Sequence, residues 1–418
     1  MQLDKILVSL LMPVISAEMG FTTQQIGNIF MIFGFAYAVS ALFGGLASSK
    51  YGPKRIIALS LSAYSIALWW TGAVTNYISF LWRYLIFGLA EGMEPSAAAQ
   101  LLMRWFPRWE RAKITAIWYT NVTLAPAILP FIAIPVSNAV GWRWTFGLAA
   151  MCGLVGLFLC KILLFDRPED FKWRGKTISK AELEEIYREE ILETQKNSKR
   201  EVSYKEAISR PVSVLEPLKN LNIWLLAIGQ FLYFSVLWGV NFWLPMFFTK
   251  QLGLTMANMG KSMGFYYFMG FVGQMTGGAI ADYWGHRKWV IVISATISGI
   301  ILILLSQFST TVSVPILYLM IGILSFCIQS CIASMPPLQA EIVGPELAGS
   351  AYGITNFFGQ IGTATTGFIT GLLVYTVAGV QKYDHAMMYW ACCALVAAVI
   401  YSLVKEQVRI KKGKLVVE

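Results

Sequence analysis

Histidine and charge are the scarce ingredients of these 418 residues: there are two histidines, and charged side chains make up 13% of the chain. A soluble globular protein carries about 25% charged residues. With 56% hydrophobic residues, the chain lacks the polar surface needed to cover a body of this size in water, and a bilayer is the solvent that fits it. His286 and His385 fall at predicted helix ends, far apart in the chain. The six cysteines, Cys152, Cys160, Cys327, Cys331, Cys392 and Cys393, all lie in apolar stretches at spacings that match no zinc or redox motif. Metal chemistry and thiol catalysis therefore have no support, and no Ser/His/Asp set occurs. The chain is not read as an enzyme, and neither a metal nor a cofactor is expected. A secretory signal is missing too, since no basic start leads into a short apolar run with a small-residue cleavage site. Gly260-Lys-Ser262 imitates the end of a phosphate-binding loop, but Thr255 stands where that loop needs glycine.

What the chain has in abundance is apolar length. A spanning helix needs about 20 mostly apolar residues. By hydropathy about twelve segments qualify: 1–19, 24–47, 56–75, 77–103, 112–137, 143–165, 221–249, 257–281, 289–308, 313–337, 347–377 and 386–404. One connection is long, 166–219, with 12 Lys/Arg and 12 Asp/Glu. Within it Ser179-Lys-Ala-Glu182 has the form of a capping box, and Leu183, Ile186, Tyr187 and Ile191 recur at helical spacing. A short amphipathic helix on the protein or membrane surface is expected there. Lysine and arginine fall overwhelmingly on one side: about 26 in alternate loops and the tail, against Arg143, Lys250, Lys261 and Lys382 on the other. This asymmetry predicts a cytoplasmic long loop and C-terminus, in the plasma (inner) membrane. It also accounts for the net charge of +10 without a nucleic-acid partner. The basic tail 406–418 suits anionic lipid.

Gly44-Gly-Leu-Ala-Ser-Ser-Lys-Tyr-Gly52-Pro-Lys-Arg55 recurs 233 residues later as Gly277-Gly-Ala-Ile-Ala-Asp-Tyr-Trp-Gly285-His-Arg-Lys288, and a weaker echo links Glu110–Asn121 to Glu346–Asn356. Two parallel six-helix bundles follow, 1–165 and 220–405, joined by the 166–219 linker. A site between such repeats, near the midplane, is a transporter design.

At these residues the chain resembles the major facilitator superfamily, whose loop between helices 2 and 3 reads roughly G-x-L-A-D-R-x-G-x-[RK]. Gly45, Leu46, Ala47, Gly52, Lys54 and Arg55 fit, whereas Ser49 and Lys50 replace the acid and the arginine. The second copy offers Gly278, Asp282, Gly285 and Arg287, with Tyr283 at the basic position. The resemblance implies that this motif latches the cytoplasmic gate. Gly45 and Gly278 are expected to allow close helix approach, and Gly52 and Gly285 a tight turn.

Within that superfamily the chain resembles the anion:cation symporters, the phthalate, sugar-acid and sialin-like carriers. The residues that carry this are Asp4-Lys5, Gly20-Phe-Thr-Thr-Gln-Gln-Ile-Gly27, Phe35-Ala-Tyr37, Gly88-Leu-Ala-Glu91, Trp105-Phe-Pro-Arg-Trp-Glu-Arg-Ala112, Trp243-Leu-Pro245 and Thr355-Asn-Phe-Phe-Gly-Gln360.

Ionisable groups inside a span are candidates for function, because burying them is costly. Glu91 and Arg83 lie within helix 4, and Glu94 follows Glu91 by three positions just before Pro95. The resemblance assigns proton coupling to Asp4 and Glu91, and substrate binding to Lys5, Tyr37, Arg83, Asn356 and Gln360. Lys5 stands where the family has arginine, which loses the fork that suits a carboxylate. Arg83 is one residue earlier than the family's helix 4 arginine, with Tyr84 in that place. One position turns a side chain by about 100°.

The expected protein is thus an all-α membrane protein with the twelve-helix fold of that superfamily. It would carry a small organic anion with a proton by alternating access, as a monomer. Anion exchange, neutral-solute transport and a non-transporting sensor remain alternatives. Asp4-Lys5 belongs near the middle of helix 1, yet only three residues precede it, so helix 1 is expected to be truncated at its N-terminal end.

Overall fold

A computed structural model describes residues 2–107, 114, 117–118, 120–172, 177–188, 191, 216–343, 348–405, 409–411 and 414–416. The first half contains α1 (Gln2–Met19), α2 (Thr23–Tyr51), α3 (Pro53–Gly72) and α4 (Tyr77–Trp105), followed by α5 and α6, which share one helical run, Asn121–Leu163. That run bends at Gly141, whose φ of 83° and ψ of 157° divide it into α5 (121–140) and α6 (141–163). A linker helix, α7 (Lys180–Ile186), precedes the second half: α8 (Leu221–Met246), α9 (Met256–Trp284), α10 (Arg287–Phe308), α11 (Val314–Val343), α12 (Ala348–Leu373) and α13 (Asp384–Leu403). Leaving out α7, these are the twelve expected spans, and the architecture matches the expectation. A short antiparallel hairpin, β1 (Tyr375–Val377) with β2 (Val380–Lys382), joins α12 to α13, and β3 (Arg409–Lys411) pairs with β4 (Lys414–Val416) in the tail.

The helices begin where the side chains say they should. Thr22 and Asn76 each form a capping box at the start of α2 and α4. Ser179 and Glu182 do the same for α7, as the linker sequence predicts. The two hydrogen bonds that Ser179 gives the Glu182 carboxyl hold its pKa below the usual carboxylate value. Leu183 and Tyr187 on the apolar stripe are buried, and the Tyr187 hydroxyl donates to the Arg104 carbonyl at the end of α4 (3.2 Å). The linker helix therefore lies against the first half.

The sequence repeat reappears as a packing repeat. In the first half α2 packs on α4, and α3 packs on α4 and α6; in the second, α9 packs on α11, and α10 packs on α11 and α13. The halves meet along α2 with α12, α5–α6 with α9, and α1 with α8. Their tight contacts lie between mid-depth and the end opposite the linker. A β carbon at Gly34 would sit 2.6 Å from the Ala364 backbone nitrogen, so only glycine allows α2 and α12 to approach there. Phe30 of α2 stacks on Phe242 of α8 at 4.3 Å, with Trp243 edge-on to it at 5.9 Å.

Pro245 explains a further link. It has no N–H for the carbonyl four residues earlier, that of Asn241. The Ser9 hydroxyl of α1 donates to that oxygen instead (2.7 Å), and also reaches the Phe242 carbonyl (2.9 Å). Beyond Pro245, α8 finishes in a π-helical turn, Phe247–Gln251.

Among the described residues, six helical segments are long and apolar enough to cross a membrane by composition alone. Neither α1 nor α4 is among them. These two carry the buried charges of the candidate site.

Candidate functional site

Tyr37 and Glu91 are the middle residues of α2 and α4. There they meet Lys5 of α1. The Lys5 ammonium lies 3.2 Å from Glu91 Oε1, and the side chains are 2% and 1% exposed. Three aromatic rings face the ammonium: Tyr37 at 4.2 Å to the ring centroid, Trp238 at 4.9 Å and Phe33 at 5.5 Å. Tyr37 and Phe33 come from α2, whereas Trp238 comes from α8 of the other half. The cluster therefore sits on the seam between the bundles.

Electrostatics explains why Lys5 and Glu91 touch. Each would lose several kcal/mol of hydration on entering a low-dielectric interior, and mutual attraction offsets that only at close range. Cation–π contact contributes about 0.5–2 kcal/mol, too little to replace a counter-ion. Apart from the Lys5 ammonium, the Glu91 oxygens have no hydrogen-bond donor among the described residues. The carboxylate thus depends on Lys5, and a second anion arriving at Lys5 would compete with it directly.

The other expected site residues are distributed unevenly. Asp4 lies in α1, but its side chain is outside the described residues. Gln360 is buried near the middle of α12 and Asn356 is half-buried one turn away, on the helix that packs against α2 and α8. Arg83 is fully buried and turns into the first half: its Nε donates to the Ala67 carbonyl of α3 (3.1 Å), and its guanidinium lies over Phe87 (4.5 Å), Tyr84 (4.8 Å) and Phe146 of α6 (5.8 Å). The resemblance assigns Arg83 to substrate binding, but its guanidinium turns away from Lys5 into the first half. Eight residues separate it from Glu91, which turns the two side chains about 80° apart. Tyr84 takes the opposite course, packing its ring on Phe30 and Phe33. Trp238 was missed because tryptophan is most abundant at lipid interfaces. Its place well inside an apolar helix, away from either end, is the signal that separates it from a belt residue.

The repeated glycine motif marks the linker end of each bundle. Gly52 has φ 91°, and a β carbon there would meet the Asp166 carboxylate at 2.8 Å. Asp166 accepts from the Lys54 backbone N–H (2.7 Å), and the Lys54 ammonium reaches the Lys161 carbonyl (2.9 Å). Asp166 thereby supplies an acceptor at the start of α3, where N–H groups lack partners. Replacing it with alanine is expected to lower stability by about 0.5–2 kcal/mol, as loss of a helix cap does; thermal unfolding of the purified protein would measure it. In the second copy Gly285 ends α9 in the left-handed region (φ 68°). In that copy the close-approach glycine is not the expected one. Space around Gly278 is open within 4 Å, whereas β carbons at Gly44 and Gly277 would meet Met93 (2.7 Å) and Ser330 (2.6 Å). One residue of helical rotation, about 100°, separates the two faces. Arg55 is exposed, Arg287 begins α10, and the side chain of Asp282, like the surroundings of Gly45, is outside the described residues.

A groove of about 570 Å³ opens between α1 and the α8–α9 turn, lined by Pro13, Val14, Ala17, Glu18, Lys250 and Met256 among others. Pro13 is about 12 Å along α1 from Lys5, so this space is separate from the buried pair. Among the described residues no group of three or more His, Cys, Asp or Glu could hold a metal ion.

A sequence model described as Major Facilitator Superfamily matches residues 1–367. The probable galactarate/D-glucarate transporter GarP of Escherichia coli K12 is 24% identical over 421 residues, covering 96% of this chain and 90% of that protein. The membrane sensor protein UhpC of Salmonella typhimurium is 25% identical over 400 residues, covering 93% and 84%. The crystal structure of a bacterial homolog to the human lysosomal transporter Spinster, inward-facing and occupied, superposes with a TM-score of 0.73 at 14% identity, covering 96% and 93%. That likeness concerns the fold.

Proposed function

This chain belongs to the major facilitator superfamily, and on that premise we propose that it is a secondary transporter that moves a small organic anion together with a proton. The observation that carries the reading is the buried Lys5–Glu91 pair at mid-depth, roofed by Trp238 from the opposite half. An organic anion entering this site takes Lys5 from Glu91. The released carboxylate is then left in an apolar site and takes a proton, so anion and proton travel together. When the site opens to the other side, water returns, the proton leaves, and Glu91 recovers Lys5 and expels the anion. The relative GarP, a probable galactarate/D-glucarate transporter, supports the substrate class. The lysine and arginine distribution supports a cytoplasmic linker and C-terminus in a plasma or inner membrane. With that orientation, the tight contacts at the far end close the site to the outside.

External pH in a lightly buffered suspension of de-energised cells expressing the protein tests this, during pulses of D-glucarate, D-glucuronate, benzoate or acetate. Alkalinisation that depends on the protein and on one acid supports proton symport. Uptake of labelled acid without alkalinisation favours exchange and removes the coupling step. A second reading, a sensor, is favoured by the relative UhpC and by the linker helix held to the end of α4. Ligand binding with no flux in either direction would decide for it.

A further inference from the structure

Trp238 and Trp243, both on α8, have buried indole nitrogens with no acceptor among the described residues, and of the two Trp238 is the one whose ring lies over Lys5. Four other indoles do have partners: Trp390 Nε1 donates to the Thr366 and Thr370 hydroxyls, Trp142 to Glu18, Trp105 to the Phe165 carbonyl and Trp224 to the Leu218 carbonyl. Trp238 is only 8% exposed, and its buried Nε1 has no acceptor among the described residues. One turn further along α8, Asn241 donates to the Leu237 carbonyl through Nδ2 (2.8 Å), while its buried Oδ1 is unpartnered. The backbone carbonyl of Asn241 is the one held by Ser9, which is one turn from Lys5 on α1. The same stretch of the seam thus presents an ammonium, an unpaired N–H and an unpaired oxygen.

Buried polar groups are nearly always satisfied in folded proteins, and an unsatisfied one carries its full desolvation cost. The Trp238 ring is 4.9 Å from the Lys5 ammonium, and the neutral N–H asks for an acceptor. A carboxylate has two oxygens, so one can pair with Lys5 while the other accepts from an adjacent donor. Glu91 leaves the indole unpaired while it occupies Lys5.

We infer that Trp238 is the second half's share of the anion site: its indole N–H donates to the carboxylate that Lys5 attracts, and Asn241 Oδ1 accepts from a hydroxyl near that carboxylate. This rests on the anion reading of the site. Lys5 belongs to the first half and Trp238 to the second, so a bound anion bridges the halves. An empty site leaves the bridge unmade.

Thermal unfolding of purified protein against D-glucarate concentration provides the test. Trp238→Phe keeps an aromatic ring over Lys5 and removes the N–H. Its unliganded melting temperature is expected to match the wild type, while the half-stabilising concentration of D-glucarate rises roughly 10- to 150-fold, the range for a hydrogen bond to a charged group. Should Trp238→Phe fail to fold, Trp238→Gln, which keeps an N–H, is expected to bind D-glucarate at least several-fold more tightly than Trp238→Leu, which has none. Equal binding by wild type and Trp238→Phe, or by the Gln and Leu variants, overturns the role of Trp238 and leaves the anion reading in place. A wild type stabilised by none of D-glucarate, D-glucuronate and benzoate overturns both.

Discussion

Glu91→Gln is expected to abolish proton-driven accumulation of the anion while preserving binding and exchange. Glutamine has the shape of a glutamic acid that holds its proton and cannot release it. In proteoliposomes, one pH unit across the membrane stores about 1.4 kcal/mol per proton, enough for about tenfold accumulation of a substrate carried with one proton. The variant should equilibrate its substrate at a ratio of one however steep the gradient. Lys5 would lose the carboxylate it touches, which leaves a buried ammonium available to the anion. Substrate affinity should therefore rise, and the unliganded protein should be less stable by about 3–5 kcal/mol, as when one partner of a buried pair is removed. Labelled substrate inside the variant should still exchange for unlabelled substrate outside. Accumulation that follows the pH gradient as it does in the wild type would remove Glu91 from the coupling step.

The fold was legible in the sequence because a bilayer imposes a simple rule: every backbone polar group must be satisfied within the apolar layer. Apolar length, loop charge and the glycine repeat together give twelve helices in two halves. Capping at Ser179 was equally legible, being a matter of four consecutive residues. The site was less so. Lys5, Tyr37 and Glu91 come together because each lies on a seam-facing line of its helix. Arg83 and Gly278 show the limit. At both, a motif was right to within one residue, and one residue in a helix is a different face. The contact of Trp238 with Lys5 depends on how the two halves approach each other, which is a property of the packed seam and is written in no local pattern. The pairing of Ser9 with the carbonyl freed by Pro245 is of the same kind: the proline announces a vacant acceptor, but only the fold says which hydroxyl fills it.

Lys5→Met should remove anion binding altogether, lowering transport at limiting substrate by at least about a hundredfold, the scale of a charged contact worth some 3 kcal/mol. Methionine preserves much of the apolar stem but carries no charge, so Tyr37, Phe33 and Trp238 would surround a neutral side chain. Glu91 would be stranded as a buried carboxylate without a cation, and stability should fall by about 3–5 kcal/mol. Pairing the two changes separates these effects. In Lys5→Met/Glu91→Gln neither charge remains, so stability should return to within about 1 kcal/mol of the wild type, because an isosteric uncharged pair replaces a buried ion pair at little net cost. Transport should stay absent, since no cation is left to recognise a carboxylate. The coupling energy from the four proteins, obtained by thermal or denaturant unfolding, then reports the ion pair itself. Lys5→Arg completes the series: a guanidinium keeps the charge and adds the fork that matches a carboxylate, so binding should survive and the single-point stability loss should be small. Transport by Lys5→Met near the wild-type rate, in a protein whose stability has fallen as expected, would make the pair a structural feature of the first half and move the anion site elsewhere along the seam.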